Sequence, residues 1–124
     1  RPIGSESFGM THAYLPFDQQ PLEAQAAIEA ARAAYAATRD GRWFTHAKAA
    51  WDWFFGANDR GVVLGDLATG RSRDGINPRG ANENCGAESI LAFQLAHYSM
   101  LALARAQQRE SSGEQGGRRR TLSE

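Results

Sequence analysis

An alanine-rich stretch with a helical beat of apolar residues leaves this chain few folds to choose from. In "EAQAAIEAARAAYAATRD", Ala24, Ile28, Ala31 and Tyr35 recur at offsets of four, three and four, the spacing of one helix face and not the alternation of a strand. Alanine has the highest helix propensity, so local preference and apolar pattern agree. Pro21 suits the first turn, where a missing N–H costs nothing, and Glu23 complements the positive helix end. Asp40-Gly41 stops the helix.

A second helix is predicted from Trp43 to Phe55, with Trp43, Ala47, Ala50, Trp51 and Phe54 on one stripe and Gly56 ending it. The short "RDGR" link folds the two helices into an antiparallel hairpin. A third helix is predicted over residues 87–107, with Ala87, Leu91, Leu95, Tyr98 and Ala102 on its stripe and Ile90, Phe93 and Leu101 widening it. The expected class is therefore all-α, built of stacked antiparallel helical hairpins. A helix apolar over so broad a face is buried on more than one side. Two neighbours cannot cover it, so the chain is expected to expose an apolar face, filled by the missing remainder of its own domain or by self-association. The opening "RPIGSESFGM" lacks a starting methionine and reads as the beginning of a processed chain or a fragment.

Composition narrows the partners. In 124 residues, 14 basic side chains balance 14 acidic ones, which gives no electrostatic reason for nucleic acid or membrane binding. A single cysteine excludes an internal disulfide framework, no apolar run reaches membrane-spanning length and no secretion signal is present, so the expected compartment is the cytoplasm. Residues 1–20 read as an irregular lead-in, 21–107 as the helical-hairpin domain and 108–124 as a disordered tail. Within the domain, residues 57–86 form a long loop heavy in Gly, Asn, Asp and Arg, with only "GVVL" apolar enough for a short strand. Loops of that length in compact domains are commonly functional.

Chemistry-bearing residues collect at the helix starts. Asp18 precedes the first helix, where capping is its simpler role, and Glu88 lies in the first turn of the third; each can instead serve as a site carboxylate fed by free amides that favour its ionised form. Gln19 and Gln20 beside Phe17, together with Asn58, Asp59, Asp74 and Asn84 in or near the loop, form the hydrogen-bonding set that a polyhydroxylated ligand requires. Trp51 lies on the core stripe. Trp53 lies off it and is a candidate stacking surface for a sugar ring or another helix. The loop oxygens do not follow calcium-loop spacing, and His12, His46 and His97 stand alone, so neither metal nor cofactor is expected.

Taken in order, "FDQQPLEA", "AAWDWFFGANDRGVVLGDLATG", "RDGINPRGANENCGAES" and "ILAFQLA" resemble the C-terminal helical region of a group of bacterial glycosyltransferase-type proteins whose fold is similar to the six-hairpin (α/α) toroid glycosidases. The resemblance spans residues 2–104. That group carries Gln at the place of Cys85 and Thr at that of Ile90. The resemblance implies a partial (α/α) toroid, since six hairpins need about twelve helices. It also implies a carbohydrate-active domain that takes a glycan or a sugar donor. On the residues' own positions and chemistry, Asp18 and Glu88 are the expected catalytic carboxylates and Gln19, Gln20, Trp53, Asn58, Asp59, Asp74 and Asn84 the expected binding residues. The competing expectation is a non-catalytic helical scaffold or interaction module in which the same residues only cap helices.

Overall fold

The computed structural model describes residue 2 and residues 17–121, with side chains to residue 117. Most of the predicted lead-in, with His12, lies outside the described residues. Helix α1 spans Pro21–Thr38, α2 spans Arg42–Asp52 and α3 spans Ala87–Thr121. Between α2 and α3 stand four short strands, β1 (Gly65–Asp66), β2 (Arg71–Ser72), β3 (Ile76–Asn77) and β4 (Gly80–Ala81), paired antiparallel as β1–β2 and β3–β4. Three helices with two small antiparallel ribbons correct the all-α expectation, and no toroid is formed by these elements. The ribbons escape a periodicity reading because each strand has two residues and is fixed by its turn. At "DLATG", the Asp66 carboxylate accepts from the Ala68 amide (2.9 Å) and the Thr69 hydroxyl (3.0 Å), while Gly70 N donates to Asp66 O. At "NPRG", the Asn77 side chain accepts from the Arg79 amide (2.9 Å). Such Asx-type bonds set a turn without any alternating apolar pattern.

Helix α1 buries Pro21, Ala24, Ile28, Ala31 and Tyr35, the predicted stripe with Pro21 added. It starts on a reciprocal pair in which Gln20 N donates to Glu23 Oε2 (3.5 Å) and Glu23 N to Gln20 O (3.1 Å). It ends with Arg39 in the left-handed region (φ 56°), whose N–H donates to Tyr35 O. Asp40 then restarts the chain, accepting from the Arg42 amide (2.9 Å) and guanidinium. This turn lays α2 antiparallel on α1.

Helix α2 stops at Asp52, earlier than predicted, and the change of phase matters. Trp53 and Phe54 turn inward, to 1% and 0% exposure, and Phe54 O accepts from the amides of Leu64 (2.8 Å) and Gly65 (3.0 Å). The core closes around Phe93, whose ring contacts Trp51, Phe54 and Phe55. Gly65 lies flat on that ring: a Cβ there would sit 2.4 Å from Phe93 Cε2, so a side chain is excluded.

Helix α3 runs through residues 108–121, beyond its predicted end, and its core face is also not the predicted one. The buried residues are Ser89, Ala92, Phe93, Ala96, Ser99, Met100 and Leu103, whereas Leu91, Leu95, Tyr98 and Leu101 are exposed. Small residues face the core because α1 offers an alanine face that packs closely. Ser99, between the two helices, donates to Glu29 Oε1 and accepts from Arg32 Nη1 (3.3 Å). Further along, Tyr35 Oη donates to Glu110 Oε2 and Arg39 pairs with Glu110 (2.9 Å). Later residues of α1 meet later residues of α3, so the two helices run parallel. Among the described residues, no helix is long and apolar enough to cross a membrane.

Candidate functional site

Parallel helices begin at the same end, and here a strap of three residues ties the two starts together. Gln19 and Ile76 exchange both backbone hydrogen bonds (Gln19 N to Ile76 O 3.0 Å, Ile76 N to Gln19 O 2.9 Å). One step back, Asp74 Oδ1 accepts from Gly86 N (2.6 Å), just ahead of α3, and Asp74 N donates to Asn84 O (2.8 Å). Gly75, at φ 145°, joins these two contacts. A Cβ at that position would fall 2.2 Å from Gln19 O, so only glycine passes.

The residues predicted to bind ligand divide into two groups. Gln19 is fully buried, accepting from Trp53 Nε1 (2.9 Å) and donating to Asp59 Oδ2 (2.8 Å). Asn58 donates to Trp53 O and Val62 O and accepts from the amides of Arg60 and Val62, so its amide holds the turn 58–62 together. Asp74 is committed to Gly86, and Gln20 starts α1. Trp53 is buried edge-on to Phe54 and offers no face to a sugar. The stacking expectation fails because the helix ends before it. The Phe17 ring is covered by the Arg60 guanidinium, 4.9 Å from its centroid.

Asp18, Asn84 and Glu88 face solvent. Among the described residues, neither the Asp18 nor the Glu88 carboxylate takes a hydrogen bond or ion pair, so the helix-start amides do not engage them as expected. Glu23 is the carboxylate that the sequence reading passed over as a site residue. It lies half-buried in the first turn of α1, where burial raises its pKa above the ordinary value and the Gln20 amide pulls it back down. The signal was present in the sequence as an acid three residues after the helix boundary.

A separate open concavity of about 750 Å³ is bordered by the β1–β2 ribbon, Phe55, Arg73 and Cys85. Neither Asp18 nor Glu88 lines it. Arg71 and Arg73 stand two apart along the chain, on one side of the β2 segment, and both line it. Among the described residues, no group of three His, Cys, Asp or Glu side chains is placed to hold a metal. Comparison with protein-family models, with curated proteins and with solved structures finds no match to this chain.

Proposed function

We propose that this chain supplies a glycan-binding, carboxylate-bearing surface to a carbohydrate-active protein, of glycosyltransferase-like or glycosidase-like chemistry, acting in the cytoplasm on a glycan or sugar donor. The observation that carries the reading is the parallel run of α1 and α3, which sets Asp18, Glu23 and Glu88 at one end of the molecule. The resemblance of residues 2–104 to glycosyltransferase-type proteins supplies the substrate class. The exposed Asp18 and Glu88 carboxylates can accept from sugar hydroxyls, and Glu23, drier and with a raised pKa, suits the proton-donating part. Glycoside cleavage needs two carboxyl groups ~5–5.5 Å apart for retention or ~6.5–9.5 Å apart for inversion. Transfer from a nucleotide sugar needs a donor-binding domain as well.

The test is titration of soluble oligosaccharides and nucleotide sugars into the chain, followed by amide chemical shifts. Shifts gathered over residues 17–23, 74–77 and 84–90, and abolished by Glu88→Gln, are expected. Binding unchanged in both Glu88→Gln and Asp18→Asn removes the site.

A second reading, a non-catalytic scaffold or interaction module, is favoured by a different observation: Gln19, Asn58 and Asp74 spend their side chains inside the fold. It expects no shifts with any sugar and a chain that folds normally.

A further inference from the structure

Helix α3 presents a second apolar stripe opposite the one it buries. Leu91 is 59% exposed, Leu95 53% and Tyr98 65%, values normal for surface side chains but found here on three large apolar ones in two turns, while Leu101, 46% exposed, lies to one side of them. Side chains of this size make a contiguous patch of a few hundred Å², the scale that marks an interaction surface. The seam reads Glu88, Leu91, Leu95, Tyr98, Ala102, Arg105, with steps of three and four throughout. That is the a/d spacing by which one helix packs along another.

We infer that a second copy of this chain covers the stripe, with the two α3 helices packed antiparallel about a two-fold axis between Leu95 and Tyr98. In that register Leu95 meets the partner's Tyr98, Leu91 meets the partner's Ala102, and Glu88 meets the partner's Arg105. Each contact occurs twice, as a two-fold interface requires. The charges select the direction. A parallel pair would set Glu88 against the partner's Glu88 and Arg105 against the partner's Arg105, whereas the antiparallel pair closes both ends of the apolar seam with opposite charges. Both residues are exposed and available. The Arg32 guanidinium lies 5.9 Å from the Tyr98 ring centroid. The seam from Glu88 to Arg105 is ~26 Å long, short for an obligate dimer, so the complex is a weak, reversible one. The inference does not rest on the glycan reading. It does bring the partner's Arg105 to the Glu88 carboxylate, placing a cation at the end of the molecule where the acids gather.

Sedimentation equilibrium of the chain over a wide concentration range tests it. A monomer–dimer equilibrium is expected, abolished by Leu95→Glu with circular dichroism unchanged. Glu88→Arg and Arg105→Glu should each weaken dimerisation on the order of tenfold, and the double variant should restore it. A monomer at every accessible concentration, a dimer that survives Leu95→Glu, or single charge reversals without effect overturns the proposal. Because sedimentation is blind to sugar binding, its failure leaves the glycan titration standing, and the reverse holds too.

Discussion

Gln19 shows how a polar side chain can hold a core together. It is fully buried, its carbonyl oxygen accepts from the Trp53 indole, its amide donates to Asp59, and its backbone pairs with Ile76. In Gln19→Leu the indole N–H would be buried without a partner, which costs about 1–3 kcal/mol; thermal unfolding several degrees lower, with altered tryptophan fluorescence, is the expected outcome. An unchanged melting temperature would mean that water reaches Trp53. Tyr35 sets a second expectation at this scale. Its hydroxyl donates to Glu110, which with burial and the nearby Glu110 charge raises the Tyr35 pKa, opposed by Arg39. A raised folded-state pKa gives stability that is present below the ordinary value of 10.0 and lost as pH climbs through the raised one. Alkaline titration should therefore loosen the contact between α1 and the distal half of α3, and Tyr35→Phe should remove that alkaline step. Asp40 has the opposite sign. Its lowered pKa, due to hydrogen bonds from the Arg42 side chain and amide, gives stability that is present above 3.8 and lost on acidification.

Among the elements, α1 was fully legible because propensity and period point the same way: the four residues predicted for its stripe are all buried. Helix α3 was legible as a helix but not in its orientation. Leu91, Leu95 and Tyr98 look like a core stripe, while the true one contains Ser89, Ala92, Ala96 and Ser99. What decides is the neighbour. The alanines of α1 let small side chains of α3 approach closely, and a single helix's periodicity holds no record of its partner's shape. Phe93, Met100 and Leu103 are the large residues of the true face, and Phe93 packs against the rings of Trp51, Phe54 and Phe55. Phe93→Ala should cost ~3–5 kcal/mol in urea unfolding, a large share of a small domain's stability. A loss below ~1 kcal/mol would show that the aromatic group repacks. The ribbons were illegible because two-residue strands have no alternation to read, and the side-chain bonds of the "DLATG" and "NPRG" turns that fix them show only in the folded chain.

At the scale of the whole molecule, the helical hairpin was legible from the short link between α1 and α2, whereas the fate of each polar side chain was not. Gln19, Asn58 and Asp74 were read as ligand-facing because their chemistry suits a sugar, but the same chemistry satisfies buried backbone and indole groups, and only the path of the chain separates the two uses. That path also has a consequence for biosynthesis. The neighbour that lies parallel to α1 is made only after the hairpin and the loop. A nascent chain therefore carries the α1–α2 hairpin with Ile28, Trp51 and Phe54 uncovered until the segment around Phe93 has left the ribosome. At ~5–20 residues per second, synthesis of the intervening loop leaves that greasy surface open for a few seconds, long enough for chaperones to find it before α3 arrives.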